Sequence, residues 1–184
     1  MSIVRMKRIG NYLLALSLVA MMASCGGDDS QSEFTGNEVS MTLVPGTVEG
    51  NTTTGTLTIR ERNNGNAQIE IELNNVLSGA SHPVHLHFGS LEDNGDVATF
   101  LTTLNEVDGV GRSVTILERL DNDETLNYAQ LINFNGSVKI HFEASGPLEN
   151  EVLGAANIGL NTPGNEAYLQ GLKDITTCNN KVGN

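Results

Sequence analysis

The sequence predicts an all-β protein, an antiparallel sandwich or flattened barrel of about eight short strands. Three observations carry this. Apolar and polar residues alternate along much of the chain from Val39 to Ile158, the period of a strand with one face in a core and one in water. Turn-forming clusters recur at close intervals, among them Asn63-Asn64-Gly65-Asn66 and Asp93-Asn94-Gly95-Asp96. No stretch in this range sustains a long helical period.

The first 24 residues precede that domain in character. Arg5, Lys7 and Arg8 are basic, Tyr12 to Met22 is apolar, and Met22-Ala23-Ser24-Cys25-Gly26 sets small residues before a cysteine. The apolar run has the length of a signal-peptide core and is short for a membrane span. The three parts in this order resemble a bacterial lipoprotein signal over residues 1–24. That resemblance implies cleavage before Cys25 and lipidation of that residue. Gly26-Gly27-Asp28-Asp29-Ser30 resembles the surface-export signal of Bacteroidetes-type lipoproteins, which implies an outer-membrane address on the cell surface. Polar residues continue to Asn37, so residues 25–37 are expected to form a tether.

The mature chain would run from Cys25 to Asn184, 160 residues, enough for one domain with a real core. It carries seven basic and 22 acidic residues, a formal charge of −15. Such a chain repels nucleic acid and anionic headgroups. The expected membrane anchor is therefore lipid on Cys25, and no basic patch or protein partner can be read. With Cys25 lipidated, Cys178 is left alone, either a free thiol or paired with another chain.

The expected domain covers residues 38–160. Val39, Met41 and Leu43 alternate with polar residues, as do Leu57 and Ile59. Asn63 to Asn66 is a hairpin signal, since Asn and Gly tolerate positive φ. Ile69, Ile71 and Leu73 form the return strand. A turn at Ser78 to Ser81 leads into His82-Pro83-Val84-His85-Leu86-His87-Phe88-Gly89. Further strands fall at Val97 to Leu101 and around Val114 and Ile116. Leu126 to Ile132 reads as strand or helix. Val138 to Glu143 and Leu153 to Ile158 complete the set. In the tail, residues 161–184, Glu166 to Ile175 is helix-like and interrupted by Gly171.

The chain has four histidines, His82, His85, His87 and His141. Residues two apart in a strand share a face. Val84, Leu86 and Phe88 are expected to face the core, and His85 and His87 the outer surface. In the second segment Val138, Ile140 and Phe142 face inward, and Lys139, His141 and Glu143 outward. If the two strands are neighbours, three imidazoles meet on one outer surface. Such a set suits copper or zinc, and copper(II) binds nitrogen sites most tightly of the common divalent metals. The alternative is that these are ordinary polar residues on a wet face.

Gly79-x-x-His82-x-x-His85-x-His87 resembles the first copper-ligand segment of copper/zinc superoxide dismutases. Val138-Lys139-Ile140-His141-Phe142-Glu143 is similar to that family's later ligand segment. The likeness spans roughly Val39 to Gly159 and implies a dismutase-like Greek-key sandwich. It implies copper ligands at His85, His87 and His141, with His82 in support. The same region resembles CHRD domains, whose His-x-His-x-Gly and following turn match His85-Leu86-His87-Phe88-Gly89 and Asn94-Gly95-Asp96-Val97. CHRD domains imply no established reaction. The departures from a dismutase are specific. No histidine lies between His87 and His141, so the bridging ligand and the zinc site are missing and no zinc is expected. No arginine follows His141, and an internal disulfide is ruled out.

No phosphate loop, nucleophile elbow or HExxH motif is present. The acids Glu92, Asp93, Asp96, Glu149 and Glu151 read as solvated loop residues. The expectation is a lipid-anchored sandwich that leans away from enzymatic activity and binds copper at three histidines. The rival readings are a copper-only dismutase or other copper redox protein, and an interaction module without metal.

Overall fold

The computed structural model describes residues 32–183. Nine strands form one antiparallel sheet, nearly closed as a barrel: β1 Phe34–Thr42, β2 Val44–Pro45, β3 Thr54–Arg62, β4 Ala67–Asn74, β5 Ser81–Phe88, β6 Val97–Val107, β7 Val110–Leu117, β8 Asn135–His141 and β9 Val152–Gly159. The spatial order is β1-β3-β4-β7-β6-β5-β8-β9-β2. Strands β5, β6 and β7 follow one another as neighbours, and β4 lies beside β7, a Greek-key arrangement. The two edge strands are consecutive in the chain. Only Leu43 separates β1, paired with β3, from β2, paired with β9, and the Leu43 N–H still donates to Gly55 O at 2.9 Å. The chain thus steps from one edge of the sheet to the other, which removes most of the exposed-edge problem.

The predicted core positions are filled as expected. Leu57, Ile59, Ile69, Ile71, Leu73, Val84, Leu86, Val138, Ile140 and Ile158 are buried in one cluster. Each such side chain contributes roughly 1.5–3 kcal/mol on leaving water. The hairpin at Asn63 to Asn66 is present, with Gly65 at φ +84°. Leu126 to Ile132 resolves as a single helical turn, α1 Tyr128–Leu131. Its Asn127 and Gln130 form a reciprocal capping box, which a strand would leave unused. Val114 and Ile116 lie on a strand, β7, but on its exposed side. Their β-branched shape favours strand without requiring burial.

Two boundaries move. The tether expected over residues 25–37 ends early, because Phe34 to Asn37 belong to β1. Phe34 lies under the Arg60 and Arg62 guanidiniums at 5.4 and 5.6 Å, and Thr35 and Asn37 donate to Glu61. The tail is part of the fold. A short 3-10 turn, Thr162–Gly164, runs into α2, Asn165–Leu169, which stops before Gly171 at φ +67°. The remaining chain then crosses back over β5 and β8 as a strap. Val182 makes a parallel bridge with Val97, and the Val97 N–H donates to Lys181 O at 2.6 Å. Val44, Leu91, Val152, Ala155, Tyr168 and Cys178 form a second apolar cluster beneath it. The leader and Cys25 lie outside the described residues.

Candidate metal centre

β5 and β8 are direct neighbours, with Val84 opposite Ile140, His85 opposite Lys139 and His87 opposite Ser137. The predicted parity holds. Val84, Leu86, Val138 and Ile140 enter the core, and His85, His87, Lys139 and His141 share the other face. That face is not open to water as expected. His85, His87, His141 and Lys139 are 6%, 1%, 2% and 1% exposed. The strap and the 143–151 loop cover it, which a strand-by-strand reading of alternation does not reveal.

The three rings form one group. The centroids of His85 and His141 are 4.2 Å apart, those of His85 and His87 5.8 Å, and those of His87 and His141 6.4 Å. Phe100 meets His85 edge-on at 4.7 Å. One ligand atom from each histidine lies within 4.8 Å of the others. A tetrahedral ion with bonds of about 2.0–2.1 Å needs ligand nitrogens about 3.4 Å apart. Small ring rotations therefore separate this arrangement from a closed site.

The second ring nitrogens define which atoms are free. His87 Nδ1 lies 3.0 Å from Gly95 O, and His141 Nδ1 lies 2.8 Å from Glu149 O. A carbonyl accepts only from N–H, so both rings carry the proton on Nδ1 and present the Nε2 lone pair. Donation of the second N–H to a carbonyl is the usual way a protein orients a metal-binding histidine. Gly95 reaches its position because it lacks a side chain, since a Cβ there would collide with the Phe88 carbonyl. His141 Nε2 and His85 Nδ1 are buried without a hydrogen-bond partner. Buried polar atoms are nearly always paired. Two orphaned imidazole nitrogens in one group are what a metal ion would satisfy, so the donor set fits one through His85 Nδ1, His87 Nε2 and His141 Nε2.

Electrostatics points the same way. Burial, then the neighbouring His141 and His87, lowers the His85 pKa from 6.5 to about 3. Burial is also the main cause at His87, lowered to about 4, and at His141, lowered as well. Neutral imidazole is the ligating form. The Lys139 ammonium is held down from its ordinary value, again mainly by burial. Its Nζ donates to Thr176 O, Thr176 Oγ1 and Thr177 O at 3.1, 3.1 and 3.2 Å, which ties the strap to β8.

His82 sits behind the group. Its Nδ1 lies 2.7 Å from Phe142 O and 3.1 Å from His141 O. It thus fixes the backbone that carries His141. Nothing in the structure accounts for the unpaired His82 Nε2. A cleft of about 430 Å³ opens beside His85 and His141, and Glu143 and Glu149 are the charged residues lining it.

Strand alternation places Lys139 on the right face but carries no sign of its strap contacts, nor of where Cys178 lies. Cys178 is a buried free thiol, with Sγ 4.0 Å from His87 Nε2. Burial raises its pKa to about 12. Its one advance signal was a lone cysteine in an otherwise polar tail. Glu92 is paired with Lys173, and Asp93 accepts from Ser90, so these acids belong to the loop rather than to the histidines.

Fold and site together define an antiparallel β-barrel with a buried three-histidine group able to hold a metal ion. No protein family, curated protein or solved structure matches the chain.

Proposed function

We propose that this chain is an exported, lipid-anchored domain of the CHRD or superoxide dismutase type that binds copper without catalysing a reaction. The observation that carries the copper reading is the orphaned pair His85 Nδ1 and His141 Nε2, beside a His87 whose Nδ1 bond to Gly95 O leaves Nε2 unprotonated. Imidazole sets favour copper over the other first-row divalent ions. The cleft that reaches the site carries Glu143 and Glu149, which attract a cation. The same acids repel superoxide, and the chain has no arginine after His141 to draw an anion in. This favours holding the metal over turning it over.

The test is competitive copper titration against a chelator of known affinity. One equivalent should bind. His85→Ala, His87→Ala and His141→Ala should each weaken binding by more than about 100-fold, beyond the loss typical of supporting residues. Weak non-stoichiometric binding, or binding that survives all three changes, overturns the reading. Superoxide consumption by the copper-loaded protein above that of free copper would favour the enzymatic rival.

Export rests on residues 1–30 alone. Cys25→Ala is expected to move the protein from the membrane to the soluble fraction, because a lipid chain is what would anchor so acidic a domain. Membrane association unchanged by that substitution contradicts the anchor.

A further inference from the structure

The strap brings a second kind of donor to the histidines. Cys178 Sγ stands 4.0 Å from His87 Nε2 and is the partner the structure gives that nitrogen. Metal–imidazole bonds are about 2.0–2.1 Å and zinc–thiolate bonds about 2.3 Å. An ion shared tetrahedrally by the two atoms would hold them about 3.6 Å apart, and a collinear one about 4.4 Å. The observed separation lies between these, in the range that two ligands of one ion span. The donor atoms of His85, His87 and His141 lie within 4.8 Å of one another without the thiol, so Cys178 meets the group at His87. The independent sign of a ligand is the unpaired state of His85 Nδ1 and His141 Nε2, both on residues more than nine-tenths buried.

The thiol is placed by the elements that orient the rings. The Cys178 N–H donates to Asn150 O at 2.8 Å. Asn150 follows Glu149, whose carbonyl takes the His141 proton. Asn179 Nδ2 donates to Asp96 Oδ1 at 2.6 Å. Asp96 follows Gly95, whose carbonyl takes the His87 proton. On the other side of Cys178, Lys139 holds the Thr176 and Thr177 carbonyls. The strap therefore closes the His87 end of the group, while the cleft beside His85 and His141 is the way in.

We propose that Cys178 is a fourth ligand, giving a three-imidazole, one-thiolate site for a soft four-coordinate ion, copper(I) or zinc(II). The proposal rests on the three-histidine reading. On binding, the thiol proton passes to solvent and a metal–sulfur bond forms in its place. Thiolate with imidazole suits these two ions, and a fourth protein ligand fills the position that a catalytic centre keeps open.

Cobalt(II) is a visible stand-in for zinc in such a site. The protein is titrated with cobalt(II) alongside Cys178→Ser and His141→Ala. The expected result is one equivalent bound with a sulfur-to-cobalt charge-transfer band. Cys178→Ser should lose that band and bind at least 10-fold more weakly. Stoichiometric binding without the band, at an affinity that Cys178→Ser leaves unchanged, overturns the thiolate and leaves the histidine site standing. Failure of the unsubstituted protein to bind cobalt(II) overturns the four-ligand site, while the copper titration decides the three-histidine site separately. A second readout avoids dependence on the folding of the variant. Zinc should slow alkylation of Cys178 in the unsubstituted protein at least 10-fold, followed on the peptide that contains it. Stoichiometric zinc binding with no such protection contradicts the proposal.

Discussion

The two halves of the barrel treat their outer faces differently. In β3, β4 and β7 the face away from the core carries Thr56, Glu70, Glu72 and Arg112, partly or fully in water, and Arg112 meets Glu72 at 3.3 Å across the surface. In β5, β8 and β9 nearly every residue is buried on both faces. Many of the outer residues there are still polar: His85, His87, Ser137, Lys139, His141 and Asn157. A buried polar group costs free energy unless it is bonded. Lys139 meets that demand through the tail, at Thr176 and Thr177, and Asn157 meets it where its side-chain oxygen accepts from the Leu91 N–H. His141 meets it at Nδ1 alone, His87 at Nδ1 and through the Cys178 thiol at Nε2, and His85 Nδ1 not at all. The open half spends its polar residues on solubility. The covered half keeps donor atoms dry and pointed at one another.

The sharpest break of this comparison is at Lys139. Lys139→Ala removes three charge-assisted bonds that hold the strap and should cost about 2–3 kcal/mol in urea unfolding near neutral pH. A loss under about 0.5 kcal/mol would mean that the strap is held without it. His82→Phe comes next. It removes the bonds to the His141 and Phe142 carbonyls without touching a ligand atom, and copper affinity should fall about 10- to 100-fold. Unchanged affinity would reduce His82 to a core residue.

A third contrast is in pH. The folded-state values of His85 and His87, about 3 and about 4, lie below the ordinary 6.5. As pH falls, the unfolded chain therefore takes up protons first. Their contribution to the stability of the metal-free protein is complete above pH 6.5 and is lost as pH falls towards those values. The unfolding midpoint should drop between pH 7 and pH 5, and it should drop less in the double variant His85→Gln, His87→Gln. Parallel pH profiles would show that the histidines are not buried neutral. The smallest effect belongs to the open half. Arg112→Ala breaks an exposed ion pair and should change stability by less than about 1 kcal/mol. A larger loss would make that face more than a solvated surface.

The open half was the more legible in sequence. Leu57, Ile59, Ile69, Ile71 and Leu73 announce one wet and one dry face, and the structure agrees. In the covered half the same period located the right face for His85, His87 and His141 but misread its surroundings. Alternation records which side a residue takes, not what packs over that side later in the chain. The cover comes from the 143–151 loop and from residues 165–183, where contacts such as Lys139 with Thr176 and Cys178 with His87 are made between positions far apart in sequence. The Gly95 and Glu149 carbonyls that set the imidazole tautomers are backbone atoms, and no residue type reports them. The three ring positions themselves are legible in two segments, Gly79 to His87 for His85 and His87 and Val138 to Glu143 for His141.

Which nitrogens meet the ion decides the metal site most directly. Anomalous diffraction from crystals of the copper-loaded protein reads this without reference to activity. One copper peak is predicted, about 2.0–2.1 Å from His85 Nδ1, His87 Nε2 and His141 Nε2 together. A peak bound elsewhere, or no ion among the three histidines at full copper loading, would contradict it.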